Sequence, residues 1–264
     1  MCGICDVQNI DTINLFSDDE ILRFLDDVFN GLISTSSLST EQYLIIARKL
    51  FEGVASGYGK DIATVSFGTP DYAMLRSMRE NVYRFSGAKQ YQSIRQMNSL
   101  LIQDGKLITK SNFMKQAREL FKEYNVNHLS TEYNTAIQQA RSASLWQDIQ
   151  QNKEYLPMLT YHTVGDGRVR PEHASLDEIT RPVDDKFWYT CFPPNGWNCR
   201  CTTIQTDDAV KSDLRGIKIH QDVPEPFRMN AGRDMIVYSK AHPYFNVAPK
   251  DKQALANNFN LPLP

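Results

Sequence analysis

No stretch of the 264 residues approaches the roughly 20 consecutive apolar residues that a membrane span requires, so no membrane partner is expected. The opening MCGICDVQNID has neither a basic region nor a continuous apolar run, and no secretory leader is expected from it. Walker loops, G-x-S-x-G elbows and H-E-x-x-H helices are missing, which removes the usual sequence signals of phosphate-loop NTPases, α/β-hydrolases and zinc proteases. Net charge is only −2, so no whole-molecule field draws the chain to nucleic acid. There is no internal repeat that would argue for a solenoid. Cysteine is scarce: five residues, an odd number, in a chain too large to need covalent staples. That usage reads as reduced thiols in a cytoplasmic setting. Cys2 and Cys5 form a Cys-x-x-Cys, but without a βαβ context no redox role is expected of them.

What is present suffices for a full core, since 41% of the residues are hydrophobic in a chain of one- or two-domain length. Charge is unevenly placed: residues 1–60 hold nine acids against four bases, and residues 73–123 hold ten bases against four acids. Solvated helix faces account for such asymmetry most simply. A DNA-binding module on 73–123 is the rival reading, with Arg76, Arg79, Arg84, Lys89 and Arg95 as weak, non-specific, salt-sensitive phosphate contacts.

The first 150 residues read as helices. Ser17-Asp-Asp-Glu20 has the capping-box pattern, with Ile21, Leu22, Leu25, Val28, Phe29 and Leu32 behind it at helical spacing. A second helix starts at Ser39 or Thr40 and is broken by Gly57 and Gly59. A third runs from Asp71 to about Phe85, and a fourth is capped by Ser111. Asn125-Val-Asn separates the fourth from a long helix over about 130–152. After Pro157 the pattern changes. Residues 158–164 and 200–205 read as strands, and Pro171 opens one or two helical turns. A short helix from Thr206 to Gly216, strands at 217–220 and 235–238, and a last helix over 249–258 complete the expectation. The fold class is α+β: a helical N-terminal region, then a small mixed α/β module with a short sheet.

Chemistry-bearing residues concentrate between Tyr161 and Thr203, which hold three of the five cysteines and two of the three tryptophans. His173, Cys199 and Cys201, with Cys191 as a fourth member, have the ligand types of a tetrahedral zinc site. Their spacing is irregular and lacks a Cys-x-x-Cys knuckle. If Cys199-Arg200-Cys201 is extended, the two thiols point to opposite faces. The expectation is therefore small buried thiols, no cofactor, and Arg200 paired with an acid such as Asp166, with zinc as the alternative. Asp166, Arg168, Arg170, Glu172 and His173 make a polar knot around a glycine turn. They suit either acid–base and anion-clamp chemistry or, as expected, ion pairs with Asp177, Glu178, Asp184 and Asp185. In PPNGWN, two prolines fix φ, Asn195-Gly196 permits positive φ, and Trp197 is a core anchor beside Trp188.

Two segments together, GDGRVRPEHASLDE and PPNGWNCRC, resemble the signature of the phage Mu protein F-like family, minor head or head-morphogenesis proteins of tailed phages. Upstream, HLSTEYNTAIQQARSASLWQ resembles the helix that precedes that signature, and the resemblance covers about residues 125–203. One departure is Asp177-Glu178, where members often carry Gly after the Asp. The resemblance implies a non-enzymatic role in procapsid assembly, with the portal and other procapsid proteins as partners and the genome met on packaging or ejection. It places the chain in the bacterial host cytoplasm during assembly and then in the virion head. It also suggests three segments: a helical lead-in over 1–124, a head-morphogenesis module over 125–216 and a C-terminal closure over 217–264. The rival class is an enzyme, a metal-dependent hydrolase or nucleotide-dependent transferase built on the Arg/His/Cys module.

Overall fold

The computed structural model describes residues 12–207, 211–215 and 223–264. Helices α1 (Asp18–Phe29), α2 (Thr40–Tyr58), α3 (Pro70–Ser99), α4 (Lys110–Lys122) and α5 (Leu129–Asn152) come first. A two-residue hairpin, β1 (Ile102–Gln103) and β2 (Lys106–Leu107), interrupts them after α3. There follow β3 (Met158–His162), α6 (Pro171–Ala174), β4 (Thr180–Pro182), α7 (Trp188–Cys191), β5 (Thr202–Thr206), α8 (Ala231–Asp234) and α9 (Pro249–Phe259). This is an α+β fold. Among the described residues no helix is long and apolar enough to cross a membrane.

Two compact units are interleaved along the chain, so the region 1–124 contributes to both. The unit built from 12–50, 80–132 and 242–264 is helical. Ser17 and Glu20 complete the capping box of α1, Glu20 Oε2 accepting from the Ser17 amide at 2.7 Å and Ser17 Oγ from the Glu20 amide at 3.3 Å. Behind it Ile21, Phe24, Leu25 and Val28 are buried, whereas Leu22 and Leu32, expected inward, are exposed. Phe16 and Phe24 both pack edge-on against Phe121 of α4. The cap of α4 is Thr109 rather than Ser111, its hydroxyl accepting from the Asn112 amide at 3.4 Å.

Nor does Asn125-Val-Asn break the chain. Residues Glu123–His128 form a π-helical run that carries α4 into α5, with Tyr124 and Asn125 buried. No Gly or Pro stands there to stop a helix, and the wider turn absorbs the change of register. Helix α3 likewise continues fourteen residues beyond Phe85, because every position from Phe85 to Tyr91 except glycine carries a buried side chain. Burial all round erases the amphipathic period that marks a helix in sequence. A Cβ at Gly87 would lie 2.1 Å from Leu261 Cδ2, so a larger residue there would displace that side chain.

Lys89 is fully buried in the same unit and makes an ion pair with Glu132, itself 3% exposed. Tyr244 donates to the second Glu132 oxygen at 3.0 Å, and its ring lies 5.9 Å from the Lys89 ammonium. A phosphate contact by Lys89 is thereby excluded. Of the other cations considered for DNA, Arg84 approaches Glu80 at 3.8 Å and Arg95 donates to Gln92.

The second unit, from 51–79 and the described part of 133–241, holds the sheet. Gly57 does not break α2: a Cβ on it would lie 2.1 Å from the Ile137 carbonyl oxygen of α5, so glycine permits that backbone crossing. The helix ends one residue after Gly57, before Gly59 at φ +80°. The sheet is antiparallel with order β4-β3-β5, Thr160 standing between Thr180 and Ile204. Leu159 and Tyr161 are completely buried in a core with Trp146, Leu176, Trp188 and Phe192. Gln205 of β5 donates to the carbonyls of Ile149 and Leu156 at 3.0 and 2.8 Å, tying the sheet to the end of α5.

Residues 235–238, expected as a strand, are irregular. Met235 takes a left-handed φ of 57° directly after α8, and this turns the chain. The expected strand 217–220 lies outside the described residues, as do Cys2, Cys5 and residues 208–210 and 216 of the expected helix 206–216; its described residues 206, 207 and 211–215 are not helical.

Candidate functional site

The site is built on three short elements around β3. Helix α6 is opened by Pro171 at its first position, with the fixed φ that a helix start requires. It buries His173, which is 3% exposed. The PPNGWN turn approaches from the other side. Its Pro193-Pro194 peptide is cis, and Ser142 of α5 donates to the Pro193 carbonyl. Asn195 has no exposed surface. Its Oδ1 accepts from the Tyr161 hydroxyl at 3.0 Å, and its amide donates to the Thr190 and Phe192 carbonyls at 3.4 Å. Gly196 lies close beneath the Arg170 guanidinium, which would be 3.3 Å from a Cβ at that position. Arg170 donates to the Trp197 carbonyl at 2.7 Å, and Trp197 packs edge-on against Phe227.

Beyond this turn the structure departs from the expected strand. Asn198 has φ +54°, and β5 begins only at Thr202, so Cys199-Arg200-Cys201 is not extended. In this turned backbone the two thiols do not diverge. Each Sγ lies 3.6 Å from His173 Nδ1, and the three ligand atoms are all within 4.8 Å of one another. Cys199 is buried and Cys201 half-buried. Cys191 is not part of the group; α7 holds it in the aromatic core.

The three side chains perturb one another. A hydrogen bond from the Cys201 thiol, with His173 adding to it, holds Cys199 well below the usual thiol range against the opposing effect of burial. Cys201 is driven upward by the same hydrogen bond and by burial, since a second thiolate beside the first is unfavourable. Burial also raises Tyr161, whose hydroxyl faces the Cys201 sulfur.

Arg200 turns away from the thiols and pairs with Asp166 through two hydrogen bonds of 2.7 and 2.6 Å. Those bonds, with the Arg168 amide at 3.0 Å on the same carboxylate, hold Asp166 well below the usual carboxylate range. The remaining partners differ from those expected. Arg168 approaches Asp166 at 3.5 Å, and Arg170 uses a backbone carbonyl. Asp177 accepts from the Thr163 amide, Glu178 pairs with His162 at 3.0 Å, Asp184 with Lys153 and Asp185 with Arg181. Arg200 with Asp166, Arg170 with Trp197 and Lys153 with Asp184 are 34, 27 and 31 positions apart, so the fold rather than sequence proximity selected these partners.

Glu178 has φ +61°, a conformation that favours glycine. That is the position where the resembled family often carries glycine, so the departure replaces the side chain while keeping the turn. Tyr161 was missed by sequence reasoning, and Asp177 was assigned to an arginine rather than to the Thr163 amide. Only the alternation along β3 pointed to Tyr161 as inward. A cleft of about 150 Å³ runs beside Cys201, between α5 at Arg141 and Ser142 and the strand start at Arg200 to Thr203. The buried Thr203 hydroxyl beside it has no hydrogen-bond partner among the described residues.

The Phage Mu protein F like protein family matches residues 92–204, a span that contains this whole site. A protein of Escherichia phage Mu described as "Putative capsid assembly protein F" is 44% identical over 86 residues, 33% of this chain and 20% of that protein. The "Mu-like prophage FluMu F protein" of Haemophilus influenzae is 36% identical over 92 residues, 34% of this chain and 21% of its own length. The matched segment thus spans about a fifth of these curated relatives. No solved structure matches significantly. The likeness is thus to the phage Mu protein F-like family, and it lies in residues 92–204, where the arginine-turn histidine and the Cys-x-Cys closure are in place.

Proposed function

We propose that this chain is a minor head protein of a tailed phage or prophage, acting in procapsid assembly without catalysing a reaction. One observation carries the reading: the site-bearing segment is 44% identical to a relative named for capsid assembly. The local chemistry supports a structural role. The Asp166–Arg200 pair, the Arg170–Trp197 bond and the buried Asn195 network each fix a loop of the module. The partners are the portal and other procapsid proteins, met in the host cytoplasm before the chain enters the virion head. Contact with the genome during packaging or ejection is weak and non-specific. It uses exposed cations other than Lys89 and falls steeply with salt as phosphate counterions are retained.

The test is assembly in the phage or prophage that encodes the chain. Disrupting its gene should reduce DNA-filled heads while tails form normally, and purified heads of the parent should contain the chain. Parent heads lacking it, or full head yield without the gene, would contradict the proposal.

A further inference from the structure

We propose that His173, Cys199 and Cys201 bind a zinc ion through Nδ1 and the two Sγ atoms. Distance is the first argument. With Zn–S near 2.3 Å and Zn–N near 2.0–2.1 Å, tetrahedral geometry separates nitrogen from sulfur by about 3.6 Å. Both sulfurs lie 3.6 Å from Nδ1. Hydrogen bonding explains only one of those two contacts, because an imidazole nitrogen carries a single in-plane hydrogen or a single lone pair. An ion shared by all three atoms explains both.

The backbone supplies the second argument. The left-handed Asn198 turns both thiols toward one point, and Pro171 fixes the short helix that presents the imidazole. Gly196 passes beside the ring, where a Cβ would meet His173 Cε1 and Nε2 at an ordinary contact distance of 3.6 Å. The ligand chemistry then selects the metal. Two thiolates and an imidazole are soft to borderline donors, suited to zinc and unsuited to magnesium or calcium. Both sulfurs bind as thiolates, and any thiol proton still held passes to solvent as the Zn–S bonds form. The ion would staple α6 to the start of β5, and its binding free energy would add to folding stability. This goes beyond the head-assembly reading and does not depend on it.

The experiment uses the full chain, purified under reducing conditions without chelator, and zinc sulfate as the added metal. Elemental analysis should find about one zinc per chain. Chelation should lower the melting temperature, and added zinc should restore it. Cobalt substituted for zinc should give a thiolate charge-transfer band with tetrahedral ligand-field bands. Cys191→Ser should keep the metal, whereas Cys199→Ser and Cys201→Ser should each weaken binding more than about 100-fold, the most that outer-shell changes alone produce. If those variants do not fold, alkylation of the parent chain decides. Zinc should protect Cys199 and Cys201 but leave the alkylation of Cys191 in the unfolded chain unchanged. The proposal is overturned if the reduced parent chain takes up no zinc, if cobalt gives no thiolate band, if Cys191→Ser abolishes binding, or if Cys199 and Cys201 form a disulfide that persists under reduction.

Discussion

Lys89 with Glu132 and His173 with two cysteines are both polar clusters enclosed by apolar side chains, and they meet the problem of burial differently. The first keeps full charges inside and satisfies them by an ion pair, a tyrosine hydroxyl and a facing aromatic ring. Burial pushes the Lys89 ammonium down, and only the attraction of Glu132 opposes it. The second has no fixed ion pair: Cys199 is held toward its thiolate by hydrogen bonds from its neighbours while Cys201 is driven the other way. An ionic cluster of the first kind is brittle to the loss of one member, whereas thiols and imidazole lose less when no ion is present.

Lys89→Ala should have the largest effect, about 3–5 kcal/mol in urea unfolding, because it strands a buried carboxylate. The double variant Lys89→Met/Glu132→Leu should recover most of that loss, since an apolar pair of similar volume removes both charges. A single-variant loss below about 1 kcal/mol would put the pair in the same class as an exposed one and erase the contrast.

His242 sharpens the comparison through pH. Burial, then the charges of Lys89 and His128, lower it to about 4 from an ordinary value near 6.5. Between those values the unfolded chain binds the proton and the folded chain does not. Stability is therefore fully present above pH 6.5 and lost as pH falls toward 4, by up to about 3 kcal/mol. His242 also accepts from the Tyr244 amide at 3.2 Å. His242→Asn keeps an acceptor and should flatten the stability profile across that window; an unchanged slope would assign the dependence to other groups.

Smaller effects are expected at the thiol site. In chelator, Cys199→Ser should cost about 1–3 kcal/mol by placing a hydroxyl in an apolar setting, and Cys201→Ser less because it is half-buried. Equal losses at the two positions would argue against that ordering. Glu178→Gly should raise stability by up to about 1 kcal/mol, as glycine relieves the left-handed backbone. Thermal unfolding should register it as a small upward shift, and a fall would mean that the His162 contact matters more than backbone strain. Asp166→Asn should change the melting temperature least, because the pair it breaks is exposed and screened by salt.

The parts legible in sequence are those set by neighbours a few residues apart. Ser17 and Glu20 announced α1, Pro171 announced α6, and PPNG announced a rigid turn beside Asn195, all through local hydrogen bonding or a fixed φ. The combination of the arginine turn with Cys-x-Cys was enough to recognise the likeness that the family match over residues 92–204 repeats. Illegible features required knowing what surrounds a residue. Lys89 reads as one more surface cation until Glu132, 43 positions later, is placed against it. The end of α3 was misplaced because burial on all sides removes the period by which a helix is recognised.

By itself, then, the sequence determined the α+β class, the family segment and the identity of the side chains that could meet at the site. Only the tertiary structure decided that His173, Cys199 and Cys201 converge while Cys191 stays in the core. The physical reason lies in one backbone choice: an asparagine admits a left-handed φ without requiring it. Packing of the turn against Tyr161, Ser142 and Arg170 selected that φ at Asn198, and with it the direction of both thiols.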